Sequence, residues 1–188
     1  LQYMGDGSLG DLESIDVSNC RDTLESVAID DRESAMAALG LSDCPLLRDV
    51  SCDLGGTFSV DLSGCGSLES FTSGSEGLSS LDLSGCTKLQ AVDCDVKAYT
   101  GEPAPVGKLT SLDVSGCEKL ESLHCSGHSI GSLKFGESLP SLRDLYCGGN
   151  QLASLDLSGL PGLQTLQCGG NRLAALDLSG LTSLGVLQ

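Results

Sequence analysis

Apolar and polar positions along this chain fall into a motif that returns every 21 residues. It is plainest near the carboxyl end. Tyr146-Cys147-Gly148-Gly149-Asn150 returns as Gln167-Cys168-Gly169-Gly170-Asn171, and Leu155-Asp156-Leu157-Ser158-Gly159 as Leu176-Asp177-Leu178-Ser179-Gly180. The second apolar residue of each Leu-Asp-Leu-like triplet marks a coil: Val17, Leu41, Leu62, Leu83, Val114, Phe135, Leu157 and Leu178, with steps of 24, 21, 21, 31, 21, 22 and 21. From each marker apolar residues recur at +3, +6, +9 and +11, as in Leu83, Cys86, Leu89, Val92 and Cys94. The last two positions bracket a period-two stretch next to glycine, which predicts a short strand. A fixed period of this length predicts a solenoid, because one such unit is too thin to bury its apolar face except against its neighbours. Strands of successive coils then stack into a parallel sheet at about 4.8 Å per step, and seven steps span about 35 Å.

Two stretches depart from the regular winding. Asp30 to Ala38 places acidic residues ahead of good helix formers and predicts one or two helical turns. Tyr99 to Lys108 carries Pro and Gly at turn spacing and predicts a protruding loop.

Leu163-Gln164-Thr165-Leu166-Gln167-Cys168-Gly169-Gly170-Asn171-Arg172-Leu173 and the matching segment 142–152 resemble the leucine-rich repeat consensus. The 21-residue period, Leu-Asp-Leu-Ser on the far side and Cys at the last strand position are similar to bacterial internalin-type repeats with a cysteine ladder. The resemblance covers about residues 9–188. It implies a right-handed leucine-rich repeat solenoid with a parallel sheet on the concave face, extended or short helical segments on the convex face, and ligand binding on the concave face. Upstream the Asn of the turn is replaced by His128, Lys97, Glu76 and Gly55, so those turns need other partners. Residues 1–188 read as one repeat domain of seven to eight coils. Neither end carries an amphipathic cap, which leads us to expect a fragment of a longer protein with ends able to self-associate.

The ten cysteines occupy two inward columns, Cys20, Cys44, Cys65, Cys86 and Cys117 at +3, and Cys52, Cys94, Cys125, Cys147 and Cys168 at +11. They alternate there with Leu and Ile, as expected of free thiols acting as small buried hydrophobes. In-register parallel side chains have the wrong mutual torsion for an unstrained disulfide. The eight-residue spacing within a coil puts two cysteines on different walls, unlike a zinc knuckle, so no metal and no cofactor is expected. His124 and Cys125 point to opposite faces of a strand and cannot form a dyad; no other catalytic motif is present, and no enzyme is expected.

The outward strand positions form three columns. The middle one runs Ala28, Ser51, Thr72, Asp93, His124, Tyr146, Gln167, and the outer two hold Asp30, Asp49, Asp53, Asp95 and Asp144 among Ser, Thr and Gly. The candidate ligand-binding residues are Asp93, His124, Tyr146 and Gln167, with Asp53, Asp95 and Asp144 around them, and a glycine column at Gly148 and Gly169 is expected to leave space beside Tyr146. A further column, Asp16, Asp61, Asp82, Asp113, Asp156 and Asp177, precedes Ser by two residues in each regular coil and suits the acceptor of a turn N–H. One carboxylate per coil supplies too few oxygens for calcium. Stacked like charges should raise some carboxylate pKa values, so that stability increases from neutral pH toward about pH 5.

Composition narrows the partners. A formal charge of −16 argues against nucleic acid and anionic membranes and favours basic partners. No apolar run of about 18 residues is present to span a membrane. These features point to a non-enzymatic binding module of a bacterial cell-surface or secreted protein that recognises a protein or glycan ligand. The alternatives are a structural spacer, or the substrate-recognition part of an effector whose catalytic domain lies outside this chain.

Overall fold

The period-two stretches become strands in a computed structural model, which describes residues 13–15, 17, 20–97 and 105–188. Among the described residues there are thirteen: β1 (Ser26–Asp31), β2 (Ala38–Gly40), β3 (Asp49–Leu54), β4 (Phe58–Asp61), β5 (Ser70–Thr72), β6 (Leu78–Asp82), β7 (Ala91–Asp93), β8 (Ser111–Asp113), β9 (Ser122–His124), β10 (Ser132–Lys134), β11 (Asp144–Tyr146), β12 (Thr165–Gln167) and β13 (Val186–Leu187). One eight-stranded sheet runs β1-β3-β5-β7-β9-β11-β12-β13. Every pairing in it is parallel. Its register reproduces the predicted middle column step by step, from Ala28↔Ser51 through Thr72↔Asp93 and Asp93↔His124 to Tyr146↔Gln167. The fold is thus the expected parallel solenoid, with extended segments on the convex face.

Between the two faces lies a core made mostly of aliphatic side chains and thiols. Leu47, Leu68, Leu89, Leu120, Leu142 and Leu163 follow one another down the coil, all fully buried, and Phe58 and Phe71 are buried among them in the earlier coils. All ten cysteines are free thiols; nine are buried, whereas Cys20, the outermost rung of its column, is only half-buried and corrects the expectation for that residue. In the +3 column the thiol has a second role. Cys65 Sγ donates to the Leu41 carbonyl at 3.1 Å and Cys86 Sγ to the Leu62 carbonyl at 3.3 Å, each tying a turn to the preceding coil.

The helical turns expected over Asp30–Ala38 are not formed. Asp30 and Asp31 end β1, Arg32 and Glu33 turn, and Ala38 opens β2, which pairs with β4. Ser34, Met36 and Leu39 are buried, with exposed residues between them, and this pattern is met by an extended chain with one side turned to the core. Ladder pairing overrides local helix propensity here. Of the loop expected over Tyr99–Lys108, residues 99–104 lie outside the described residues. Its end has already rejoined the coil: Gly107 N–H donates to Gly127 O at 2.8 Å and Lys108 N–H to Glu76 O at 2.9 Å.

The long coil is absorbed asymmetrically. On the concave side Ala91 pairs with Ser122 across 31 residues without a break in the sheet. The convex side divides into β2-β4-β6 and β8-β10. Between β6 and β8 a cleft of about 450 Å³ opens, lined by Ser79–Gly85 on one wall and by Ser111, Asp113, Ser115 and Gly116 on the other.

Candidate functional site

All seven residues singled out in the sequence lie half-buried on the concave face, but only some meet. Asp93 and His124 are direct partners on β7 and β9, and Tyr146 is the partner of His124 on β11. The His124 and Tyr146 rings lie 4.3 Å apart between centroids, tilted by 55°. Asp95, two residues beyond Asp93 on the same face, brings a third donor, so that Asp93, Asp95 and His124 offer ligand atoms within 4.8 Å of one another. Gln167 extends this row beyond Tyr146.

Backbone groups hold both carboxylates. Asp95 Oδ1 accepts the Ser126 N–H at 2.5 Å, and Asp93 Oδ1 accepts the Asp95 N–H at 3.3 Å. Lys97, which the sequence reading placed only at the turn, brings its ammonium 3.6 Å from Asp93 Oδ2. The glycine column is tighter than expected: a Cβ on Gly148 would sit 3.2 Å from the Gly169 carbonyl oxygen.

Asp53 and Asp144 stand apart from this cluster. Asp53 Oδ1 takes the Gly74 N–H at 2.5 Å while Oδ2 pairs with Arg32 at 3.3 Å, and Arg32 lies 3.8 Å from Asp30 as well. Part of the acidic amino-terminal face is therefore neutralised from within. Asp144 sits in the first column between Ser122 and Thr165.

The cysteines beneath the face are chemically quiet. Burial pushes the thiols of Cys44 and Cys117 up to about 11 and those of Cys52, Cys86 and Cys147 up to about 12. Cys125 is raised well above its ordinary value by burial first, with Cys94, Cys147 and Asp95 adding to the effect. The nucleophile and the metal ligand are the thiolate, so these groups serve as core.

On the convex side the aspartate column does its predicted structural job. Asp61, Asp82, Asp113, Asp156 and Asp177 each accept the N–H of the serine two residues on, at 2.8–3.0 Å. The expected rise in carboxylate pKa is overturned for three of them. The Ser115 hydroxyl and N–H hold Asp113 below its ordinary value, with Lys134 assisting; the Ser158 N–H and hydroxyl do the same for Asp156, and those of Ser179, hydroxyl first, for Asp177. A direct hydrogen bond to the ionised form outweighs repulsion from a carboxylate one coil away, which water screens to about 1 kcal/mol.

The turn after the concave strand shows two solutions. Asn150 Oδ1 accepts the Ile130 N–H at 3.0 Å, and its Nδ2 donates to the carbonyls of Cys125 at 2.8 Å and Cys147 at 3.1 Å; Asn171 repeats the pattern one coil on. His128 keeps only one arm of it, with Nε2 2.7 Å from the Cys94 carbonyl, while its buried Nδ1 has no partner among the described residues.

Comparison with known proteins agrees with this architecture. The family model described as "Leucine Rich repeats (2 copies)" matches residues 140–183. The solved functional domain of InlJ from Listeria monocytogenes, which includes a cysteine ladder, is 26% identical with a TM-score of 0.54, over 94% of this chain and 41% of that one. A leucine-rich repeat protein of Leptospira interrogans is 14% identical over 96% of this chain and 64% of its own, with a TM-score of 0.47. No curated protein sequence matches.

Proposed function

We propose that this leucine-rich repeat solenoid, internalin-like in its 21-residue period and cysteine ladder, is a non-enzymatic binding module of a bacterial cell-surface or secreted protein. Its concave face recognises a protein or glycan ligand. The observation that carries the reading is the row Asp93–His124–Tyr146–Gln167, in which a ring pair stands between a carboxylate and an amide on a sheet of fixed register. Half-buried rings offer a stacking surface for a sugar or an apolar side chain, and carboxylates accept from hydroxyl or ammonium groups. The charge of −16 favours a basic partner and speeds its approach.

A structural spacer is the second reading, favoured by the small polar residues over most of the face and by the internal pairing of Arg32 with Asp53. Changing Asp93, His124 and Tyr146 together to Ser separates the two. On protein and glycan arrays the binding module should retain a ligand that the triple variant loses by tenfold or more, with thermal unfolding little changed. Equal behaviour of both proteins on every array would leave the spacer.

A further inference from the structure

We infer that Asp93, Asp95 and His124 form a site for one divalent transition-metal ion of the zinc or cobalt type. The inference rests on the reading of the concave face as the binding surface and names a ligand for it. Residues i and i+2 of a strand project to the same side, and the residue opposite on the next strand stands beside them. Asp93 and Asp95 supply the first pair and His124, the register partner of Asp93, the third member. β7, the extended residues that follow it as far as Asp95, and β9 thus present three donors from one side, which is the geometry of a three-ligand site with an open position.

Distances and donor types decide which ion fits. A tetrahedral ion with ligands at about 2.1 Å sets donor–donor edges of about 3.4 Å. The three donor atoms already lie within 4.8 Å of one another on half-exposed side chains, so small rotations close the set. Calcium takes six to eight oxygens, more than three residues provide, whereas an imidazole nitrogen beside carboxylates suits zinc and its neighbours. This nitrogen separates the cluster from the acidic column of the convex face, where Asp61, Asp82 and Asp113 are spaced one per coil and each is committed to its own turn.

The surroundings hold the ligands in place. The Ser126 and Asp95 N–H groups each fix one carboxylate oxygen, and the Tyr146 ring lies against the imidazole. Outer contacts of this kind orient metal ligands. Lys97 opposes the ion, with its ammonium 3.6 Å from Asp93 Oδ2 in the metal-free protein. Its side chain is 48% exposed on a flexible stem and can swing into solvent when a cation enters. The open position faces the concave groove, where a carboxylate or carbonyl of a bound partner would complete the coordination.

The test is titration of chelator-treated protein with Co²⁺ and then Zn²⁺ at neutral pH, followed by visible absorption and calorimetry. One equivalent should bind, with ligand-field bands and no thiolate-to-cobalt charge-transfer band, since the buried cysteines take no part. His124→Ala and Asp95→Asn should each weaken binding tenfold or more, and Lys97→Ala should strengthen it several-fold, with unfolding in chelator unchanged. Excess Ca²⁺ should not displace the ion. No binding by the wild type, a charge-transfer band, or affinity equal to the wild type's in His124→Ala and Asp95→Asn would overturn the site. Gln167→Ser leaves the three ligands and the contacts that hold them untouched, so it should keep the metal while losing array ligands. Metal failure with array binding intact refutes the metal site alone, and array failure with metal intact refutes the wider reading.

Discussion

The coils up to residue 97 and those from residue 122 onward lay down one backbone with two chemistries. In the later coils Asn150 and Asn171 reach across to the preceding coil, and the +3 position is Leu139, Leu160 or Leu181. In the earlier coils the turn holds Gly55, Glu76 or Lys97, the +3 position is Cys, and thiols bond to the Leu41 and Leu62 carbonyls. There the third-column aspartates Asp53 and Asp95 take an N–H of the following coil, at Gly74 and Ser126. What is invariant is the set of backbone groups to be satisfied, because leaving one buried and unpaired costs about 1–3 kcal/mol. Which side chain satisfies them is free to vary. His128, at the boundary, does the work of Asn by half.

The largest test of this contrast is Asn150→Ala, which strands the Ile130 N–H and two carbonyls in the core. A loss of about 3 kcal/mol is expected in urea unfolding, against less than about 0.5 for Lys97→Ala at the equivalent turn. Equal effects would mean that the two halves are held alike.

Serine substitutions sharpen the thiol columns. In Cys86→Ser the hydroxyl inherits the Leu62 carbonyl and should cost under about 1 kcal/mol. Cys125 is fully buried with no such bond among the described residues, so Cys125→Ser should cost about 2 kcal/mol by the same measurement. The reverse order would remove the structural role assigned to the +3 thiols.

A smaller difference concerns acid. Burial holds His128 below its ordinary value, because a second ring proton on Nδ1 would have no acceptor. Below the unfolded value near pH 6.5 the unfolded chain takes up a proton that the folded one refuses, so stability falls with pH. The slope is at most about 1.4 kcal/mol per pH unit and ends at the folded value. His128→Asn should flatten thermal stability between about pH 6.5 and 5.5; an unchanged slope would place the proton elsewhere.

The smallest effect comes from the turn aspartates. With folded pKa values depressed, Asp113, Asp156 and Asp177 add stability above the ordinary carboxylate range and lose it as pH falls through their folded values. Unfolding temperatures should decline below about pH 4, and Asp156→Asn should decline less. A rise in stability on acidification would restore the repulsion picture.

These cases show where the sequence was legible. Period two and the coil markers fixed the concave register, including the neighbours Asp93, His124 and Tyr146, since one residue of slip would turn Leu123 and Leu145 to solvent. The segment from Asp30 to Ala38 misled because helix propensity is local while the pairing of β2 with β4 joins residues 21 apart. Charge counting misjudged the aspartate column, since the decisive partner was a serine N–H two residues away. Lys97 and Arg32 escaped the column analysis because their side chains reach carboxylates from outside the columns.

The long coil has a mechanical consequence. Its inner strip of hydrogen bonds runs unbroken from β7 to β9, while among the described residues β6 and β8 on the outer rim form no strand pair and leave a cleft of about 450 Å³. A beam notched on one side bends at the notch. A change of curvature there would widen or narrow the rim without breaking a strand pair of the concave sheet. Asp93 and His124 lie on the two strands that flank it. A notched strip is most compliant at its notch, and here the notch lies behind the strands that carry Asp93 and His124.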